Sequence, residues 1–157
     1  MVGGESDVVS FRLVRCDASG VPVEAIGALP QELAENCRGT AELYMKLGYA
    51  APWVGYVAVT DGRPVGGGAF VGAPREGRVE LAYYTMQEYQ GRGHGSATAR
   101  ELVRLAREAD PAVTLIAFTL PEPNASTRIL EKQGFVQTGL AQDPDAGTVW
   151  EWQLPPR

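Results

Sequence analysis

A chain of 157 residues with 45% apolar and 21% charged residues has room for one buried core and the balance of an ordinary globular domain. Its formal net charge of -5 argues against broad, sequence-independent contact with nucleic acid, which draws most of its affinity from Lys and Arg against phosphate. No run of about 18 apolar residues occurs, so no membrane span is expected, and the opening MVGGESDVVS lacks the basic and apolar segments of a secretory signal.

In chain order, residues 1–6 read as a flexible tail and 8–15 (VVSFRLVR) as a strand. Residues 22–50 read as one or two helices, broken near 27–30 and again at Gly39. A strand over 53–60 leads to Asp61-Gly62, a favoured hairpin dipeptide, and a second strand over 64–72 carries Gly66, Gly67 and Gly68. Glycines inside a strand suggest a bulge or a close backbone approach. A third strand, 78–85 (RVELAYYT), completes an antiparallel meander.

A helix over 95–109 follows, with Ala99, Leu102, Val103 and Ala106 on one apolar stripe. Asp110-Pro111 ends it. The unbroken apolar run 112–119 (AVTLIAFT) has the signature of a strand covered on both faces. A short helix over 124–134 and two strands, 135–140 and 148–154, close the chain. The order predicts a single α+β domain with a mixed, mostly antiparallel central sheet flanked by helices.

The stretch QEYQGRGHGSAT, 87–98, concentrates glycine directly before a helix. A helix start offers unpaired N–H groups and about half a unit of positive charge, so it attracts anions. Glycine lets such N–H groups converge on phosphate oxygens, and Arg92 offers a further charge. The same glycines also suit a plain tight turn. A P-loop is excluded, because no Lys followed by Ser or Thr closes the segment. A dinucleotide fingerprint is excluded too: Ser96 stands at its third glycine, and Leu115, Ile116 and Ala117 stand where its acid belongs. Cys16 and Cys37 lack metal-ligand spacing and a close pairing pattern, and His94 is the one histidine. No metal is expected, and both thiols read as inert in a reducing cytoplasm.

Gln90-x-x-Gly93-x-Gly95 resembles the Q/R-x-x-G-x-G/A fingerprint of the GNAT superfamily of acetyl-CoA-dependent N-acetyltransferases. NASTRILEKQGF, 124–135, is similar to a segment of the branch of ribosomal-protein N-terminal acetyltransferases, the RimJ/RimL-like enzymes. With VGGGAFVG and VELAYY, the resemblance covers roughly 53–140. It implies a GNAT-like domain with acetyl-CoA as cosubstrate and, as partner, an amine acceptor: a protein N-terminus, a Lys or a small amine metabolite. It is compatible with a homodimer and a cytoplasmic setting. It further implies that backbone groups of Tyr83, Tyr84 and Thr85 pair with the pantetheine arm. The CoA pyrophosphate would rest on Gly91, Arg92, Gly93, His94, Gly95 and Ser96, and Asn124 would contact the CoA arm. The alternative is an acyl-CoA-binding module that has lost turnover.

Transfer to an amine by direct attack needs no enzyme nucleophile. It needs a base for an ammonium of pKa about 10 and a proton for the departing thiolate. In RVELAYYT, alternation puts Glu80, Ala82 and Tyr84 on one face and Val79, Leu81 and Tyr83 on the other. An acid flanked by apolar neighbours has its pKa raised by desolvation, which makes Glu80 the candidate base. The competing reading is a solvated Glu80, or one paired with Arg78 or Arg63. Many family members carry a helix tyrosine as the acid. Here Leu130 holds that place, and the branch resemblance offers Ser126, with water as the other option.

Overall fold

The computed structural model describes residues 10–156, so the expected tail over 1–6 and the first residues of the predicted leading strand lie outside the described residues. Seven strands, β1 (Phe11–Arg15), β2 (Gly55–Thr60), β3 (Arg63–Phe70), β4 (Arg78–Thr85), β5 (Thr114–Thr119), β6 (Val136–Asp143) and β7 (Gly147–Leu154), form one sheet in the order β1-β2-β3-β4-β5-β7-β6. Every neighbouring pair is antiparallel except β4 and β5. Three helices, α1 (Gln31–Leu47), α2 (His94–Ala109) and α3 (Ala125–Lys132), flank it.

The glycines of β3 show which helix covers which face. A Cβ on Gly67 would stand 3.3 Å from the Tyr84 ring and 3.9 Å from Asn36 of α1, whereas one on Gly68 would stand 2.9 Å from Leu102 of α2. Adjacent strand residues face opposite ways, so α1 lies on one side of the sheet and α2 on the other. Both sequence expectations for this strand are realised. The register slips between Ala58 and Val59 of the facing strand, and a Cβ on Gly66 would lie 2.2 Å from the Tyr84 carbonyl oxygen.

On the α2 side, Val79, Leu81, Leu115, Ala117 and Trp152 pack with Leu102, Ala106 and Leu130. Trp152 also donates its indole N–H to Thr119 Oγ1 at 2.9 Å, so this buried polar atom is satisfied. On the α1 side, Val14, Val57 and Val59 pack with Cys16 and Cys37.

Three sequence expectations are corrected. Residues 22–30 are not helical, in keeping with Pro22, Pro30 and the left-handed Gly27. The helix does not break at Gly39. One mid-helix glycine costs about 1 kcal/mol against alanine, and burial of Leu33, Cys37 and Tyr44 along one stripe outweighs it. The strand β5 is not covered on both faces throughout: Phe118 is 40% exposed, because α1 packs over β2 and β3 and leaves that end of the sheet open. The cysteines also come together despite their spacing. They are free, buried and packed in one cluster between the end of β1 and α1.

Candidate active site

The strands β4 and β5 pair through Arg78↔Thr114, Val79↔Leu115 and Glu80↔Ile116, and there the ladder ends. Beyond this rung β4 runs on to Thr85 along β3, while β5 continues along β7. The sheet therefore opens as a V, and among the described residues no strand lies on the β5 side of β4 past Leu81. Such an edge presents N–H and C=O groups to any extended chain laid beside it.

A cleft of about 640 Å³ occupies the mouth of the V. It is lined by Tyr83, Tyr84 and Thr85, by Gly91, Gly93, His94, Gly95 and Ser96 of the glycine loop, and by Ser126, Arg128 and Lys132 of α3. Gly93 is the residue before α2 and is left-handed at φ 86°, as is Gly91 at φ 80°, which explains glycine at both places. No side chain caps this helix. Its first backbone bond runs from Ala97 N–H to the Gly93 carbonyl at 3.0 Å, so the N–H groups of His94, Gly95 and Ser96 have no acceptor within the helix. Three convergent donors at a positive helix end suit a pyrophosphate. The Gln90 amide donates to the Thr85 carbonyl at 3.0 Å, tying the loop back to the end of β4.

Not every expected residue faces this cleft. Arg92 is exposed and stacks over the Tyr89 ring at 5.9 Å. Asn124 caps α3: its Oδ1 accepts from Thr127 N–H at 2.9 Å, and its own N–H donates to Thr127 Oγ1 at 2.9 Å. Ser126 sits in the first turn that this cap fixes, and its carbonyl accepts a long bond of 3.4 Å from the Tyr83 hydroxyl. The cleft's positive charges come instead from Arg128 and Lys132, which sequence reading passed over. Their i, i+4 spacing on a short helix was the available signal.

Glu80 stands at the last rung of the β4–β5 ladder, half-buried, outside the lining of that cleft. By register and alternation it shares the α1 face with Ala82 and Tyr84. Arg78 pairs with Glu151 at 3.5 Å, not with Glu80, and among the described residues no ion pair reaches Glu80. Burial raises its pKa above the ordinary carboxylate range, and the charge of Asp143, at the end of β6, raises it further. On the same face, Tyr84 joins Glu32, Glu35, Asn36 and Leu43 of α1 around an open groove. The Tyr84 hydroxyl is buried without a hydrogen-bond partner among the described residues. Tyr84 lines both the cleft and the groove, so the two meet at β4.

A cleft on one face and a desolvated carboxylate on the other meet where two parallel strands part. The sequence matches the acetyltransferase (GNAT) domain family over residues 15–136. The chain belongs to this family: it is an acetyltransferase, and its acyl donor is acetyl-CoA. No curated protein matches the chain significantly. Among solved structures, the chain is similar to the ribosomal-protein-S5-alanine acetyltransferase of Vibrio fischeri, with TM-score 0.69 at 14% identity over 95% of this chain and 97% of that one. It is also similar to RimL, the ribosomal L7/L12 alpha-N-protein acetyltransferase solved with coenzyme A, with TM-score 0.68 at 16% identity over 93% and 94%. A third is yncA of Salmonella typhimurium, solved with its cofactor acetyl-CoA, with TM-score 0.64 at 18% identity over 96% and 95%. At these identities the likeness establishes the fold.

Proposed function

We propose that the protein moves an acetyl group from acetyl-CoA to a primary amine by direct attack, with Glu80 as the general base. The observation that carries this reading is the position of Glu80 at the last rung before β4 and β5 part, where a thioester threaded through the opening meets an amine from the α1 side. The N–H groups of His94, Gly95 and Ser96, with Arg128 and Lys132, hold the pyrophosphate. The edge of β4 from Tyr83 to Thr85 guides the pantetheine arm as an added strand. Glu80 takes the ammonium proton, directly or through a water, so that the neutral amine can attack the carbonyl carbon.

The groove shared by Glu32, Glu35 and Tyr84 favours an acceptor that carries positive charge when it binds. The similarity to enzymes that act on ribosomal proteins makes a peptide α-amino group the first acceptor to try, ahead of Lys side chains and small amines. A cytoplasmic setting suits both the acyl donor and two free thiols.

The test is release of free thiol from acetyl-CoA across a panel of peptides with varied N-termini, lysine peptides, polyamines and amino sugars. Glu80→Gln should lower kcat by about 100-fold on the accepted amine. Tight CoA binding with no turnover on any amine would sink the reading.

A further inference from the structure

We propose that the Tyr83 hydroxyl is the general acid of this transfer, giving its proton to the CoA sulfur as the C–S bond breaks. The inference rests on the acetyl transfer proposed above and assigns its second proton.

The step needs a donor on the cleft side of β4, near the point where β4 leaves β5. Tyr83 follows the last paired rung by three positions and shares the face of Gly68, the α2 side, so its ring projects into the cleft and its hydroxyl reaches the first turn of α3. The bond it makes there, 3.4 Å to the Ser126 carbonyl, is long enough to be surrendered to a better acceptor at little cost. The other phenols of the cleft aim elsewhere. Tyr84 points to the α1 face, and Tyr89 stands between Arg92 and His94 at the phosphate end.

Chemistry separates Tyr83 from Ser126. A phenol, with an ordinary pKa of about 10, is a far stronger acid than an alkyl hydroxyl. Burial raises the Tyr83 phenol above its ordinary value, which keeps it protonated throughout the neutral range. In the balanced step the amine nitrogen bonds to the carbonyl carbon, and the C–S electron pair moves to sulfur. Sulfur takes the Tyr83 proton, the amine's proton leaves through Glu80, and Tyr83 regains a proton from water through the open cleft. The products are the acetamide and free CoA.

Tyr83→Phe keeps the ring that packs against the core and removes only the hydroxyl. Calorimetry with CoA and desulfo-CoA at about pH 9, where the thiol ionises, reads the contact without turnover. Wild-type protein should prefer CoA by about tenfold, a hydrogen bond to a charged sulfur, and Tyr83→Phe should lose that preference. On the accepted amine, Tyr83→Phe should lower kcat by about 100-fold with the KM for acetyl-CoA unchanged. A Tyr83→Phe protein that keeps the CoA preference, or a Ser126→Ala protein that loses it, overturns the assignment. So does a wild-type protein with no preference, a measurement that needs no variant to fold. If wild type binds CoA with the preference but acetylates no amine, the transfer reading fails while the contact of Tyr83 with sulfur stands.

Discussion

Glu80 gains its chemical character from two sources, its strand and a charge far away in the chain. The alternation of RVELAYYT was enough to expect a desolvated carboxylate, because the strand period alone sets its neighbours. The second source, Asp143, was not legible, since it depends on how the β6–β7 hairpin sits relative to β4. Asp143→Asn removes a like charge, so the acidic limb of the kcat/KM profile should move to lower pH, measured on the accepted amine. Stability offers an independent check. A carboxyl whose folded pKa is raised contributes stability that is fully present below its unfolded pKa and is lost as pH rises through the folded value. Glu80→Gln should therefore melt above wild type at pH 7, with the gap closing on acidification toward the ordinary carboxylate range. A gap that is constant with pH would mean that burial of Glu80 does not penalise its charge.

At the scale of elements, two helix starts do different work. The start of α3 is satisfied internally: Asn124 and Thr127 exchange bonds, and the turn carrying Ser126 is fixed by them. Asn124→Ala should cost about 1 kcal/mol, or about 3 °C in Tm, and Asn124→Ser should recover most of it by restoring a cap acceptor. The start of α2 is left unsatisfied, with Gly93 in a left-handed turn and nothing within 4 Å of where its Cβ would be. Gly93→Ala thus meets strain without a clash, about 1 kcal/mol. Because the turn aims the free N–H groups, calorimetry should show weaker CoA binding as well as a lower Tm. The glycine loop and the helix it opens were legible from local pattern. The unbroken passage of α1 through Gly39 was not, because the stripe of Leu33, Cys37 and Tyr44 is rewarded only by a sheet built from distant strands.

For the whole molecule, the sequence shows the parts of the cleft more readily than its two-sidedness. Motifs pointed to the donor side, since a phosphate cradle is built from consecutive residues. The groove beside Tyr84 gathers residues of α1 against β4 and has no short signature. The division of labour predicts selective stabilisation by ligand. CoA at a hundred times its Kd should stabilise the fold by about 2.7 kcal/mol, seen as a rise in Tm, whereas ATP at the same concentration should do little. An equal rise with ATP would mean that the cleft reads the nucleotide and ignores the pantetheine arm.

The three-rung ladder between β4 and β5 also bears on how the chain reaches its native state. Each side of it is built from antiparallel strands, β1 to β4 and β5 with β7 and β6, most of which meet as near neighbours in sequence. The junction itself closes a long loop that contains all of α2, an entropic cost that three rungs must offset. Two separately formed halves joining there would make substitutions at Val79 or Leu115 speed unfolding far more than they slow folding. In native-state hydrogen exchange the amides of those three rungs should open before the interiors of β2 and β3. The gap proposed to admit the acyl donor would then mark the last join to form as the chain folds.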